Sequence, residues 1–449
     1  MKVIGIIAEY NPFHNGHAYQ LEKIRRLTGA DYIVVAMSGD YVQRGTPAIV
    51  DKYTRAKMAL SCGVDLVLEL PVLWATASAE SFAMAGVTLF EKMGCVDGLC
   101  FGAETDDLPL LSLLADILTT EPAFYRESLS SYLKEGLTFP QARAKALCDY
   151  LAHSTDMYAS EEISSILNEP NNILAIEYLK ALKRRHSALT PYLIKREGAG
   201  YHDSAISARA SAPGSTAVPS ASATAIRKLL LSAGAESADA CSLSMPESAY
   251  QLLSDYMLQS PVLCADDFSQ IVSYRLLTAS SASLADVCDC NTDIANRLYR
   301  NRQSFSTYER FIEQTKSRDV TYTRISRILL HLLLGLDRSK ESVGKNCDYI
   351  PYLRILGFYK PSGTQSPSVS GNSAPLLTAL KGTACVPLVT KLANAPNLLS
   401  APALSMLKDD IFAADLYEQI KFQKQQQNPK TYSETAAAFN EYTRGLVLL

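Results

Sequence analysis

Along the first part of the chain, apolar positions fall into short unbroken blocks separated by stretches with helical spacing. Lys2–Ala8, Tyr32–Met37, Asp65–Leu70 and Asp97–Phe101 are Val-, Ile- and Leu-rich runs. Runs of that kind predict strands buried on both faces. Between them Gly16–Leu27, Asp51–Ser61 and Ala77–Met93 read as helices; Leu21, Ile24 and Leu27, for example, share one face. Strand and helix in alternation predict an α/β fold built on a doubly wound parallel sheet. Ligands of such sheets lie at the carboxyl ends of the strands. The loops Glu9–Asn15, Ser38–Pro47, Glu69–Ala75 and Gly102–Asp106 are therefore the expected pocket.

Further along, Leu108–Leu118, Ala123–Gly136 and Phe139–Tyr150 have helical patterns that would cover the sheet. Pro170-Asn171-Asn172 precedes an amphipathic stretch and reads as a helix cap with one asparagine side chain to spare. Pro191–Arg196 reads as a fifth strand. Residues 204–221 are nearly all Ala, Ser, Pro and Gly and read as a mobile loop, suited to a lid. The loop leads into Ser222-Ala223-Thr224-Ala225-Ile226-Arg227, a helix start with hydroxyls and an arginine in its first turn. Ser232–Pro246, rich in small residues, marks a boundary between a catalytic domain, 1–235, and a mainly α-helical domain, 246–449. In the second part Tyr349–Phe358 reads as a tight turn, Pro361–Ala374 as a loop, and Asn428-Pro429 as a break.

Composition narrows the classes. A content of 47% hydrophobic and 20% charged residues is that of a soluble globular protein. No apolar run reaches the length of a membrane span, and the short apolar start, interrupted by Glu9, reads as a strand and not a signal peptide. The ten cysteines include no C-x-x-C pair, so buried reduced thiols in a cytoplasmic protein are expected, with no metal site. A net charge of −3 confines any nucleic-acid surface to a local patch. One patch qualifies. Arg297, Arg300, Arg302, Arg310, Lys316, Arg318, Arg324 and Arg327 face only Glu309, Glu313 and Asp319, with Tyr299, Phe305, Tyr308, Phe311 and Tyr322 interleaved. Cations with aromatics suit phosphate contacts and base stacking on RNA; a solvated helical face is the plainer alternative.

The chemistry concentrates where the first strand hands over to the first helix, at Glu9-Tyr10-Asn11-Pro12-Phe13-His14-Asn15-Gly16-His17. Backbone N–H groups and the helix dipole attract anions there. His14 and His17, three residues apart, can reach one anion together, and Gly16 lets a phosphate approach. With the Ser222–Arg227 helix start, this describes adenylyl transfer: attack on the α-phosphate of ATP with loss of pyrophosphate, driven by positioning and charge stabilisation. Arg44, in Ser38–Gly45, could meet a phosphate or a carboxylate.

These motifs resemble the HIGH-type nucleotidylyltransferase superfamily, and more closely its bacterial tRNA(Met) cytidine acetate ligase family. The resemblance rests on Glu9–His17, Met37–Gly45, Glu69-Leu70-Pro71, Phe101-Gly102, Pro170–Leu174, Tyr201-His202-Asp203 and Ser222–Arg227, and more loosely on Tyr322–His331. It implies a Rossmann-like catalytic domain and a two-step reaction. Acetate and ATP, with Mg²⁺ accompanying ATP, form acetyl-adenylate; the acetyl group then passes to the wobble cytidine of elongator tRNA(Met), giving N4-acetylcytidine. It further implies that ATP is bound by Ile7, Ala8, Glu9, Tyr10, Asn11, Pro12, Phe13, His14, Asn15, Gly16, His17, Ala18, Tyr19 and Gln20, with Gly102, Asn171, Asn172 and Arg196. Ser222, Thr224 and Arg227 complete the clamp, and His14 and His17 are the catalytic pair. The RNA surface would be Arg300, Arg302, Lys316, Arg318, Arg324 and Arg327. Asp40 departs from the family pattern, which expects an uncharged residue; a carboxylate there calls for a partner, with Arg44 at hand. A small-molecule cofactor adenylyltransferase and a non-catalytic nucleotide-binding regulator remain as alternatives.

Overall fold

The computed structural model describes residues 1–154, 160–196, 221–233, 241–360, 373–427 and 440–449. The Tyr201–Asp203 motif, the 204–221 lid but for its last residue, and the 428–429 break lie outside those residues, as do 234–240 of the linker and 361–372 of the loop.

The strands in chain order are β1 (Val3–Ala8), β2 (Tyr32–Ser38), a small hairpin of β3 (Tyr41–Val42) and β4 (Thr46–Pro47), β5 (Leu66–Leu70), β6 (Gly98–Ala103), β7 (Thr190–Lys195), β8 (Leu353–Phe358), β9 (Leu388–Val389) and β10 (Val447–Leu448). The main sheet runs β10-β8-β5-β2-β1-β6-β7, with β9 on β8. From β5 to β7 every pairing is parallel. The chain leaves β1 towards β2 and β5 on one side, then returns to lay β6 and β7 on the other. The order therefore reverses between β1 and β6, and a crevice opens at the carboxyl ends of those two strands.

The helices of the N-terminal half are α1 (Asn15–Thr28), α2 (Lys52–Ser61), α3 (Val72–Ala75), α4 (Ala79–Met93), α5 (Leu108–Thr120), α6 (Ala123–Lys134), α7 (Phe139–Ser154), α8 (Ser160–Asn168), α9 (Pro170–Arg184) and α10 (Ala223–Ala233). Ala77–Met93, read as one helix, begins at Ala79, where Ser78 caps it. Strand residues alternate between two cores. Ile4, Ile6, Ile33 and Val35 pack with α1, α2 and α10, while Val3, Val34, Leu66 and Phe101 pack with α4, α5 and α9.

The C-terminal part is mainly helical, yet it is built into the same sheet. Leu353–Phe358 is not a tight turn but β8, antiparallel to β5. Buried charge locks this seam. Lys52 Nζ lies 2.8 Å from Glu69 and 2.6 Å from Glu441, and Arg354 pairs with Glu69 at 2.9 Å and also with Glu441. Four charges of alternating sign from α2, β5, β8 and the C-terminal segment neutralise one another out of water. Removing any one would strand its partners.

Candidate nucleotide site

The turn after β1 is stitched down from below. Arg55, fully buried on α2, donates to the carbonyls of Glu9 (2.6 Å), Ser38 (3.0 Å) and Val50 (3.1 Å), and to that of Gly39. One guanidinium thus fixes the ends of both β1 and β2. Beyond it Tyr10 adopts φ +48° and the Asn11–Pro12 peptide is cis. Asn11 Oδ1 accepts from Ile49 N at 2.8 Å, so its side chain ties the turn to the second loop.

His14 and His17 form a cap of their own. His14 is the N-cap of α1, and its Nδ1 accepts from Gly16 N at 3.0 Å. The backbone N–H of His14 donates in turn to Nδ1 of His17 at 3.2 Å. A backbone N–H can only donate, so both Nδ1 atoms are acceptors and both rings carry their proton on Nε2. The rings stack with centroids 3.8 Å apart, and Tyr10 and Phe13 pack against His17. Burial, then Arg196 and Arg227, pushes the His14 imidazole down to about 3; burial, then His14 and Arg196, holds His17 well below its usual range. The pair is neutral at physiological pH and offers Nε2–H donors. Being neutral, it can meet phosphate oxygens without a proton changing hands.

His17 borders a cavity of about 550 Å³ at the sheet's reversal point. Ile7, Ala8, Glu9, Tyr10, Asn11, Gln20, Gly102, Asn171, Arg196 and Arg227, all named from the sequence, line it too. Arg44 and Gln43 come from the second loop, Phe82 from α4, Phe101 from β6, Leu174 and Tyr178 from α9, and Thr323 and Arg327 from the C-terminal half. Among the described residues that line it, four arginines against the single carboxylate of Glu9 make it a cavity for an anion, with an apolar wall for a flat ring.

Other expected residues act from behind this lining. Asn172 is buried, accepting from Glu104 N (2.9 Å) and Thr105 N (3.1 Å) while donating to Ile166 O (3.2 Å). Asn171 faces the cavity and donates to Glu104 Oε1 at 2.5 Å. The helix is capped not by its own asparagines but by Glu104, whose other oxygen accepts from Asn172 N at 2.9 Å. Ser222 accepts from Ala225 N at 3.2 Å. Arg227 donates to Asn11 O at 2.8 Å and Thr224 Oγ1 at 3.1 Å, tying α10 to the turn after β1. Asn15 reaches away to Leu243 O at 2.9 Å, while Ala18 and Tyr19 pack into the second core.

Two expectations need correction. Asp40 does not pair with Arg44. It is buried, accepts from Lys52 N at 2.7 Å and has Lys52 Nζ 3.8 Å away. Burial, against the pull of Lys52, pushes its carboxyl up to about 7. The aromatics of the basic stretch are not free for base stacking either. Tyr308 and Phe311 are buried, Phe305 packs on Phe311, and the Arg302 guanidinium covers the Tyr299 ring at 3.6 Å. They lie on the apolar faces of short amphipathic helices, and the core claims them.

The basic residues divide as well. Arg300, Arg310, Lys316 and Arg318 are exposed, whereas Arg324 donates to Asp289 O at 3.1 Å and Arg327 pairs with Asp289 Oδ2 at 2.5 Å. Arg327 reaches the cavity because Gly45 lets the second loop touch the helix Tyr322–Leu334. Gly45 has φ +77°, and a Cβ there would lie 2.4 Å from Arg327 N. Tyr308 Oη and Ser326 Oγ donate to Gly45 O at 3.0 and 2.9 Å. The part in the cavity of Phe82, Tyr178, Thr323 and Arg327, and the support that Arg55 gives from below, escaped the sequence reading. Only the helical spacing of Thr323 and Arg327 hinted at a shared face.

A histidine-capped helix start beside a cationic crevice, on a parallel sheet of this order, has the architecture of a nucleotidyltransferase-type site. The chain matches the HIGH Nucleotidyl Transferase family model over residues 1–432. It is 37% identical over 420 residues to the tRNA(Met) cytidine acetate ligase of Thermoanaerobacter sp. (strain X514), covering 93% of this chain and 95% of that one. Against the enzyme of that name from Clostridium perfringens (strain ATCC 13124) it is 37% identical over 418 residues, with the same shares covered. The crystal structure of Thermotoga maritima TmcAL (apo, form I) superposes with a TM-score of 0.86 at 28% identity over the whole of both chains. The form of that protein bound with alpha-thio ATP superposes with a TM-score of 0.84 at 27% identity, covering 100% of this chain and 99% of that one. The chain belongs to the HIGH nucleotidyl transferases and, within them, to the tRNA(Met) cytidine acetate ligases.

Proposed function

We propose that this protein is an ATP-dependent acetate ligase that makes acetyl-adenylate and hands the acetyl group to the wobble cytidine of elongator tRNA(Met). The observation that carries the reading is the cavity at the β1–β6 reversal, where the neutral His17 imidazole, stacked on His14, and four arginines surround room for a nucleotide. In the first step an acetate oxygen attacks the α-phosphorus of ATP and pyrophosphate leaves. Donors from His14, His17, Arg196 and Arg227 would meet the charge that builds on the phosphates. Mg²⁺ would enter with ATP: the described residues hold no cluster of three or more metal-binding side chains, and Glu9 is the one acid among the described residues lining the cavity. In the second step the cytidine N4 attacks the acetyl carbonyl and AMP leaves.

The exposed cations Arg300, Arg310, Lys316 and Arg318 would hold the RNA backbone, with Thr323 and Arg327 where the base enters. That link from RNA face to nucleotide cavity favours this reading over a small-molecule adenylyltransferase, which needs no such face. A cytoplasmic location fits, since tRNA is there and no helix of the described residues is long and apolar enough to cross a membrane.

The test uses purified protein, ATP, labelled acetate and elongator tRNA(Met) with or without its wobble cytidine. Label on the cytidine-bearing tRNA alone is expected. ATP turnover with acetate but no labelled tRNA would overturn the second step.

A further inference from the structure

The transfer step has to remove a proton from the cytidine amine, and among the described residues that line the cavity Glu9 carries the one carboxylate able to take it. We propose that Glu9 is the general base of acetyl transfer, an inference that rests on the ligase reading above. Cytosine N4 is a poor nucleophile because its lone pair is delocalised into the ring. As the N4–C bond to the acetyl carbon forms and the bond from that carbon to the AMP oxygen breaks, N4 turns acidic. Its electron pair enters the new amide, the leaving pair stays on AMP, and the proton goes to a carboxylate oxygen of Glu9. Release of AMP and tRNA then returns the proton to water.

Position argues for this assignment. Glu9 directly follows β1 and lines the cavity together with Gln43, Arg44 and Arg327. Its backbone carbonyl is pinned by Arg55 at 2.6 Å. Its Oε1 accepts from Gln43 N at 3.0 Å, which aims the carboxylate and leaves Oε2 without a partner among the described residues. The nearby acids are otherwise committed. Asp40 is buried against Lys52, Glu69 is paired with Lys52 and Arg354, and Glu104 caps α9. The imidazoles of His14 and His17 accept backbone N–H groups at Nδ1 and have no free lone pair to offer.

Glu9→Gln keeps the shape and can still accept from Gln43 N, so it tests the charge and the lone pair. Two half-reactions are measured: acetate-dependent ATP–pyrophosphate exchange, and single-turnover acetyl transfer from synthetic acetyl-adenylate to saturating tRNA. Loss of a general base costs roughly a hundredfold or more, so the expected result is a loss in transfer about a hundredfold greater than any loss in exchange. Glu9→Asp, which withdraws the carboxylate by one methylene, is expected to fall between wild type and Glu9→Gln in transfer. Equal losses in both half-reactions would overturn the proposal and give Glu9 to ATP or its metal ion; so would a transfer rate within about threefold of wild type. A wild-type protein that labels no tRNA would instead overturn the ligase reading, so the two failures are distinct.

Discussion

The backbone N–H of His14 donates to Nδ1 of His17 at 3.2 Å, so the second histidine caps the first. This bond fixes the His17 tautomer, as the bond from Gly16 N fixes that of His14, and together they separate what each ring does for the helix from what it does for a phosphate.

His14→Asn should part those two roles. Asparagine is as good an N-cap as any residue, so the melting temperature should fall by a few degrees at most. The Nε2–H donor is gone, however, and acetate-dependent pyrophosphate exchange should drop by about 10²–10³. His17→Ala should abolish exchange while tRNA affinity, read by filter binding, stays near wild type.

Both histidines are held below the value of about 6.5 they take in an unfolded chain, His14 at about 3. Between those limits the unfolded state binds more protons, so their contribution to stability is complete above pH 6.5 and declines as pH falls towards 3. Asp40 and Asp410, both raised to about 7, act with the opposite sign and lose stability as pH rises. Urea midpoints for wild type and His14→Asn between pH 4 and 8 should therefore show a shallower rise with pH in the variant. Nitrogen NMR should find both imidazoles as Nε2–H tautomers throughout pH 6 to 8.

Lys316 and Arg318 are exposed. Replacing both with Ala should weaken tRNA binding and lower the slope of log affinity against log salt by about 1 to 2. Exchange without tRNA should be unaffected. Arg327→Ala should behave differently, reducing acetyl transfer with little change in salt slope, because that side chain borders the cavity.

Gly45→Ala forces a side chain into a positive-φ position and against the backbone of Arg327. A cost of about 1–3 kcal/mol is expected from strain and overpacking, visible in the urea midpoint. Activity should fall further than stability does, since the contact also sets Arg44 and Arg327 at the cavity.

The sequence alone determined the parallel core and the paired histidines at the helix start after β1. Strands buried on both faces are uniformly apolar, the helices keep their own period, and the histidines and Gly16 lie within one turn, so each signal is local. What it left open depended on contacts between residues far apart in the chain. Whether Asn171 or Asn172 faces the cavity followed from where Glu104 meets α9. Asp40 found Lys52 and not Arg44, because it is buried beside the Lys52 backbone and side chain, with Arg55 also close by. The aromatics at 305–311 look like an RNA stacking surface until their helices pack, when the same rings become core. That Leu353–Phe358 joins β5, and that Arg327 reaches a pocket built mainly by the N-terminal half, was decided by the buried Lys52–Glu69–Arg354–Glu441 network and the close approach at Gly45. Charges paired across nearly four hundred residues leave no periodic trace in the chain that carries them.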